Sequence, residues 1–308
     1  MIKKIVRKIK HPKEILLYFS QFHIYDFLSD KTYLRFKYWL NMDKKLDLKN
    51  PKTFNEKLQW LKLYNRKPEY TMMVDKYAVR EYIKEKLGEE YLIPLLGVWD
   101  SPDDIDFDKL PNQFVLKCNH NSGTGMCICK DKSKLDIDKV RKELKKGLKQ
   151  NYYLTGREWP YKDVPRKIVA EKYMVDESGK ELKDYKFFCF NGKVKYIQVD
   201  FDRFTNHKRN FYDTAWNYVP FTTCYPTDAS RIIDRPILLE KMIDIAEQIA
   251  RSLGGVPVVR IDLYYIVDRI YFGEITFYHG SGYEKFYPSE WDYKLGKMID
   301  LNLIKTEK

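Results

Sequence analysis

The sequence predicts an α+β or mixed α/β body that follows a helical N-terminal region. Three observations lead to this prediction. Residues 1–65 have helical patterns, short strand-like segments separated by turns begin near residue 112, and two further helices interrupt those strands. Strands with separated helices are typical of a sheet-containing body that buries its core under packed helices. A chain of 308 residues is long enough for about two or three packed lobes.

The composition excludes several classes of protein. Hydrophobic residues make up 44% of the chain, which is enough for a sizeable core and excludes an intrinsically disordered protein. No uncharged apolar run approaches the roughly 20 residues of a membrane-spanning helix, and the start of the chain lacks the pattern of a signal peptide. The five cysteines, an odd number, favour a reducing compartment. We therefore expect a cytosolic protein.

Positive charge is concentrated at the start of the chain. Residues 1–13 contain six Lys and Arg and no acid, which is half of the net charge of +12. This basic segment and the apolar residues 15–19 predict peripheral contact of residues 1–19 with an anionic membrane. The alternative is a solvated first helix that packs on the body. The rest of the chain is only mildly basic and has no known nucleic-acid-binding motif, so we expect no nucleic-acid partner.

Caps and stops mark the helices. Thr53 and Glu56 have the spacing of a capping box, and a helix is predicted from Asp75 to Leu87 with Gly88 closing it. Another helix is predicted over about 137–152. A last one opens at Pro236 and stops at Gly254-Gly255, with one apolar face made of Ile237, Leu238, Met242, Ile245, Ile249 and Leu253.

The first predicted strand pair has a glycine-containing loop at its tip. Phe114–Lys117 and Met126–Cys129 are strand-like, and the loop 119–125 joins them. Because no helix follows the loop, it matches neither a Walker loop nor a dinucleotide-binding turn. Its backbone N–H groups, together with Lys117, suit phosphate binding. An ordinary hairpin turn remains the alternative.

The second strand pair turns at Asn191-Gly192, which is a strong hairpin signal. Alternation along the preceding strand places Asp184 and Lys186 on one face. An exposed surface ion pair explains these two residues equally well.

The third strand pair carries the most chemistry. Val258–Ile266 and Ile270–Phe277 flank a short turn, and symmetry about Asp268 places Asp262 opposite Glu274. Directly opposed like charges are destabilising, so a shared proton, a cation or Arg260 on the same face must offset them. Mg²⁺ bound by carboxylate oxygens is the simplest answer, and scattered acids on an exposed face are the alternative. The repulsion also predicts that neutralising either acid leaves the metal-free protein at least as stable.

Together these segments resemble the ATP-grasp superfamily, and within it the TupA-like family associated with bacterial surface-polysaccharide and teichuronopeptide biosynthesis. The residues that carry the resemblance extend from the segment 50–57 to Tyr287-Pro288. They comprise Asp75-Lys76, the strand lysine Lys117 with its glycine loop, Glu171-Lys172-Tyr173-Met174, Asp184-Tyr185-Lys186-Phe187, Arg209-Asn210, and Arg260, Asp262 and Glu274.

The resemblance implies an ATP-grasp fold, in which two α+β lobes hold ATP, and a set of site residues. We expect a basic helical region over 1–65, a preceding segment over 66–111, a lid subdomain over 112–175 and a C-terminal subdomain with the metal site over 176–308. The implied ATP-binding residues are Lys76, Lys117, Ser122, Gly123, Gly125, Glu171, Lys172, Met174 and Asp184. The implied Mg²⁺ ligands are Asp262 and Glu274, and the implied catalytic residues are Arg260, Arg209 and Lys186. Many ATP-grasp ligases have Asn two residues after the metal-binding Glu, where this chain has Thr276.

The implied activity is ATP-dependent ligation of a carboxylate to an amine through an acyl-phosphate. The family association implies a small-molecule or lipid-linked glycan substrate and an amino-acid or amino-sugar acceptor, in capsule, teichuronopeptide or O-chain assembly. Two alternatives remain: a kinase of the same fold, and a glycosyltransferase that uses an Asp-x-Asp motif such as Asp200-Phe201-Asp202 or Asp104-Ile105-Asp106.

Overall fold

The computed structural model describes residues 15–16, 24–176, 179, 182–202 and 205–304. The basic segment 1–13, on which the predicted membrane contact depends, lies outside the described residues. None of the described helices is long and apolar enough to cross a membrane.

The described chain is mixed α and β, as predicted. The helices are α1 Asp30–Met42, α2 Phe54–Tyr64, α3 Glu69–Val74, α4 Val79–Lys86, α5 Ile137–Lys149, α6 Tyr152–Gly156, α7 Leu239–Ser252 and α8 Glu290–Lys297. The strands are β1 Leu95–Trp99, β2 Phe114–Cys118, β3 Met126–Cys129, β4 Ile168–Lys172, β5 Asp184–Phe190, β6 Lys193–Phe201, β7 Lys208–Tyr212, β8 Tyr218–Val219, β9 Val258–Ile266 and β10 Arg269–Thr276.

The strands form two antiparallel sheets. The smaller sheet has the order β1-β4-β2-β3, and the larger sheet has the order β10-β9-β5-β6-β7-β8. Each sheet packs one face against a helix: Val140 and Leu144 of α5 join the core of the smaller sheet, and Met242 and Ile249 of α7 join the core of the larger one. Burial of these apolar faces is the main stabilising contribution to both units.

The predicted starts of two helices are wrong. The first helix begins at Val79 and not at Asp75, because the Asp75 carboxylate accepts the backbone N–H of Tyr77 at 2.8 Å and the Asn119 amide at 2.7 Å, which holds a turn there. The helix expected to open at Pro236 begins at Leu239. Ile237, predicted on its apolar face, is 75% exposed in the turn before it.

The predicted capping box and the predicted turn at Asn191-Gly192 are confirmed. At the start of α2, the Thr53 hydroxyl accepts the N–H of Glu56, and the Glu56 carboxylate accepts the N–H of Thr53, which completes the capping box. Asn191 and Gly192 both have positive φ, at 51° and 78°, as a two-residue type I′ hairpin turn requires.

Candidate active site

A cleft of about 600 Å³ receives side chains from both sheets. Lysines and arginines outnumber acids among its lining residues, which favours a negatively charged ligand. Every residue implied as a ligand or catalytic group lines it except Gly125: the list is Lys76, Lys117, Ser122, Gly123, Glu171, Lys172, Met174, Asp184, Lys186, Arg209, Arg260, Asp262 and Glu274.

Gly125 lies away from the cleft. It is buried against α5, where a Cβ on Gly125 would approach the Cys118 Sγ to 2.6 Å and the Gly147 Cα to 2.8 Å. Its φ of 63° also favours glycine. Gly125 therefore serves the close packing of the β2–β3 loop on α5, whereas Gly123 is at the exposed tip, with no atom within 4 Å of its Cβ position.

Asp262 and Glu274 lie opposite each other on β9 and β10, as predicted. The register arises differently from the prediction, however. The turn has two residues, Val267 and Asp268, both with positive φ, and a bulge at Gly273 shifts the later pairs by one position. A side chain at Gly273 would meet the Asp262 carbonyl oxygen at 2.9 Å, so this bulge requires glycine.

The repulsion between the two carboxylates is offset by cationic side chains. The Arg260 Nε and Nη2 donate to both Asp262 oxygens at 2.6 and 2.8 Å, and Nη2 also donates to the Glu274 Oε1 at 3.0 Å. The Lys186 Nζ donates to the Asp262 Oδ2 at 2.7 Å and to the Asp184 Oδ2 at 3.0 Å. Arg260 is therefore one of the offsets considered from the sequence, and Lys186 adds to it.

Neighbouring charges keep Glu274 and Arg260 ionised. Burial alone raises the pKa of Glu274, but Arg260, Lys76 and Lys186 lower it below its ordinary value. Burial opposes the charge of Arg260, yet Asp262 and Glu274 raise the pKa of its guanidinium. The charges of the site thus stabilise one another, and Asp262 is the carboxylate that Arg260 and Lys186 share.

The residues present fit a magnesium ion in their chemistry, provided that bound phosphates complete the coordination. Two carboxylates converge, and the Glu274 Oε2 accepts no hydrogen bond from any described residue. No group of three or more His, Cys, Asp or Glu side chains within the described ranges could hold a metal by itself. Thr276 donates its hydroxyl proton to the Glu274 Oε1 at 3.0 Å, so in this structure it orients the carboxylate.

Two further lysines of the cleft, Lys76 and Lys117, lie near the β2–β3 loop. The Lys117 Nζ donates to the Glu171 Oε2 at 2.6 Å, and the Lys76 Nζ donates to the Asn121 carbonyl at 2.7 Å. Burial lowers the pKa of Lys76, although Glu274 and Glu171 oppose the shift. Both ammonium groups are held near the loop tip, where Ser122 and Gly123 are exposed.

Part of the cleft lining is apolar and lies beside the segment Glu171–Met174, which the resemblance implies in ATP binding. Ile93, Val115 and Leu182 form this part together with Met174. The backbone N–H of Lys172 already donates to the Pro94 carbonyl at 3.0 Å. Of the implied ATP-binding residues in this segment, Lys172 therefore has its backbone N–H engaged within the protein.

Arg209 lies on β7 and lines the cleft. Its Nε donates to the Asp200 Oδ1 at 2.7 Å, and its Nη1 contacts the Thr223 hydroxyl at 2.6 Å and the Glu284 Oε2 at 3.3 Å. Its Nη2 donates to none of the described residues. Arg209 is thus fixed by two carboxylates, with one end of its guanidinium available to a ligand.

Sequence reasoning did not place Asp200, His207 and Tyr225 beside Arg209. Asp200 lies directly opposite Arg209 in the β6–β7 pair, and both line the cleft. His207, two residues before Arg209, stacks on Tyr225 with ring centroids 3.7 Å apart. Alternation from Arg209 predicts the position of His207, whereas no local pattern identifies Tyr225, which lies in a loop.

Comparison with protein families decides the identity of this fold. The family described as TupA-like ATPgrasp matches residues 56–300, which is most of the chain. The chain belongs to the TupA-like ATP-grasp family. The expected ATP-grasp fold and ATP-grasp enzyme are confirmed by this membership. No curated protein is significantly similar in sequence.

Several solved structures are similar to this TupA-like protein over part of its length. D-alanine–D-alanine ligase from Helicobacter pylori shares 12% identity with a TM-score of 0.45, over 82% of this chain and 69% of the ligase. The Bacillus anthracis D-alanine–D-alanine ligase complexed with ATP shares 19% identity with a TM-score of 0.40, over 67% and 53%. An N5-carboxyaminoimidazole ribonucleotide synthetase in complex with ADP shares 14% identity with a TM-score of 0.45, over 72% and 50%. The chain thus spans about half the length of two of these proteins.

Proposed function

We propose that this TupA-like protein is an ATP-dependent ligase that activates a carboxylate as an acyl-phosphate and couples it to an amine during assembly of a bacterial surface polysaccharide. The observation that carries the proposal is the pair Asp262–Glu274 with Arg260 and Lys186 in the same cleft as Lys76 and Lys117. Phosphoryl transfer needs positioned charges more than covalent chemistry from the protein, and this cleft supplies them.

Each charged group has a role in the proposed mechanism. Bound to Asp262 and Glu274, Mg²⁺ would neutralise phosphate oxygens and align them for transfer. Lys117 and Lys76 bind the phosphates on the side of the β2–β3 loop. Bound phosphate oxygens compete with Asp262 and Glu274 for the Arg260 guanidinium. Arg260 then stabilises the negative charge that develops on the acyl-phosphate and on the tetrahedral oxyanion.

The part of the cleft around Arg209 suits the second substrate. The available Nη2 of Arg209 binds a carboxylate of the acceptor, while Asp200 and Glu284 hold the guanidinium in place. The exposed loop tip at Ser122 and Gly123 closes over the phosphates and keeps water from the acyl-phosphate. Uronic-acid or peptide carboxylates and amino-acid or amino-sugar amines are the substrate classes that the family association supports.

The glycosyltransferase alternative has no support from the two Asp-x-Asp segments. The Asp200 carboxylate is buried and bonded to Arg209 and Gln198. Asp106 lies on the surface, where it caps a short 3₁₀ turn by accepting the N–H of Asp108. Neither segment presents two free carboxylates to a common ligand.

The experiment combines purified protein, ATP and Mg²⁺ with a panel of uronic acids and amino acids. A ligase forms ADP and phosphate only when both a carboxylate and an amine are present, and hydroxylamine traps the acyl-phosphate as a hydroxamate. Transfer to a hydroxyl, as in a kinase, gives a stable phosphate ester and no hydroxamate. Lys117→Met should abolish turnover, and Lys132→Met is the matched control, because Lys132 binds backbone carbonyls of the 107–110 segment outside the cleft.

We further propose a cytoplasmic enzyme that contacts the inner face of the membrane through residues 1–19. Each Lys or Arg near an anionic surface contributes about 1 kcal/mol, and residues 1–13 carry six of them. Removing residues 1–13 should weaken salt-sensitive sedimentation with anionic vesicles and leave turnover of soluble substrates unchanged. Equal pelleting of both proteins at low and moderate salt would contradict the proposal.

A further inference from the structure

Among the described residues, Arg260 hydrogen-bonds to three side chains, and only one of them is not a candidate metal ligand. Asp262 and Glu274 are the two carboxylates proposed to bind Mg²⁺. The third partner is His279, whose Nδ1 lies 2.8 Å from the Arg260 Nη1. A cation on the two carboxylates competes with Arg260 for the same oxygens, whereas it leaves the contact with His279 intact.

The protonation of His279 follows from this contact. A guanidinium group only donates hydrogen bonds, so Nδ1 must be the unprotonated, accepting nitrogen. Burial lowers the pKa of His279, which keeps the ring neutral and its proton on Nε2. Nε2 lies 3.1 Å from the Glu284 Oε2, but its N–H is poorly aligned for a hydrogen bond. This contact is therefore mainly electrostatic.

The surroundings of His279 fix its ring. Its side chain is 4% exposed and makes an edge contact with Phe188, with ring centroids 4.8 Å apart. The following residues Gly280, Ser281 and Gly282 all have positive φ, between 53° and 65°. The Gln59 amide donates to the carbonyls of Ser281 and Gly282, which fastens this turn to α2. Such a rigid support is what the placement of another side chain requires.

We propose that His279 is a positioning residue that holds the Arg260 guanidinium over the transferred phosphoryl group once Asp262 and Glu274 bind a metal ion. This inference rests on the proposed function. The Nδ1 atom is the acceptor that remains for Arg260 when the carboxylates are engaged, so it sets where the guanidinium points. Arg260 touches the phosphoryl group, and His279 acts only through Arg260.

Two amide substitutions test the role of Nδ1. In His279→Asn the amide oxygen takes the place of the accepting Nδ1, whereas in His279→Gln the amide nitrogen takes the place of the donating Nε2, so both keep a polar side chain in the buried position. The measurement is the affinity for Mg²⁺ with a non-hydrolysable ATP analogue, compared with Mg²⁺ and ADP, by titration calorimetry. We expect wild type and His279→Asn to prefer the triphosphate, and His279→Gln to lose about tenfold of that preference, as expected for one charge-assisted hydrogen bond.

The control and the contrary outcomes are separate. Glu284→Gln alters the contacts of Glu284 with the His279 Nε2 and with Arg209, but it leaves the contact between Nδ1 and Arg260 in place, so it should keep the triphosphate preference. If His279→Gln keeps the preference, or His279→Asn loses as much as His279→Gln, His279 does not position Arg260. If wild type binds no Mg²⁺-nucleotide at all, the proposed function and this inference both fail. Nucleotide binding with the expected differences but no ligation would support the inference and contradict only the ligase proposal.

Discussion

The charge cluster around Asp262 makes a quantitative prediction about stability in the absence of metal. Asp262 is 2% exposed and accepts hydrogen bonds from both Arg260 and Lys186. Asp262→Asn leaves these two buried cations without their shared counter-ion, and breaking a buried ion pair in this way costs about 3–5 kcal/mol. The expectation from opposed charges alone, that either neutralisation preserves stability, therefore does not apply to Asp262.

Glu274 supplies the matched comparison. Its side chain is 41% exposed, and Arg260 keeps both contacts with Asp262 when Glu274 is neutralised. Glu274→Gln removes a partly solvated contact, which is worth about 0–1 kcal/mol, and also removes the repulsion from Asp262. We thus expect the free energy of unfolding to change little in Glu274→Gln.

Urea unfolding of the two variants and wild type, followed by tryptophan fluorescence in a chelating buffer, measures the difference. The predicted order is wild type close to Glu274→Gln, with Asp262→Asn less stable by several kcal/mol and an unchanged slope against urea. Equal stability of the two variants, or a more stable Asp262→Asn, would refute the reasoning, because repulsion and not cation pairing would then dominate the pair.

Three further predictions follow from contacts in and near the cleft. Without nucleotide, free Mn²⁺ should bind weakly, because it competes with Arg260 and Lys186 for the two carboxylates; electron paramagnetic resonance measures this binding. Arg260→Gln should raise the affinity for Mn²⁺ about tenfold, and Arg209→Gln should leave it unchanged. Lys117→Met should weaken ATP binding about tenfold or more through loss of a phosphate contact, while Lys132→Met binds normally. Burial lowers the pKa of His120 below its ordinary value of 6.5. As the pH drops below 6.5, His120 is therefore protonated more readily in the unfolded state than in the folded state, and the free energy of unfolding falls. His120→Asn should remove that part of the acid dependence, by up to about 1.4 kcal/mol per pH unit; an unchanged acid profile would contradict the shift.

Local patterns predicted the elements of the site because each depends on neighbouring residues. The capping box at Thr53, the Asn191-Gly192 turn and the alternation of Asp184 with Lys186 all involve residues at most a few positions apart. The opposition of Asp262 and Glu274 was predicted correctly from an incorrect turn. The true two-residue turn and the bulge at Gly273 shift the register in opposite directions, so their effects cancel at this pair.

The contacts that were missed depend on long-range packing. Lys186 reaches Asp262 only because β5 pairs with β9, across 76 positions of sequence. The His279 contact with Arg260 depends on a turn fastened to α2, and Gly125 turns away because it meets Gly147 of α5. No local periodicity specifies these pairings, since they follow from how separate elements pack.

The central claim is that a carboxylate of the substrate receives the phosphoryl group of ATP. Its most direct test follows the transfer of oxygen from the substrate carboxylate to the released phosphate. The substrate is the carboxylic acid of the panel that supports ADP formation, prepared with ¹⁸O in both carboxylate oxygens. Attack of an amine on an acyl-phosphate leaves one carboxylate oxygen on the released phosphate, so mass spectrometry should find one ¹⁸O per phosphate in each turnover. Phosphate that contains no ¹⁸O while ADP and coupled product accumulate would contradict an acyl-phosphate intermediate.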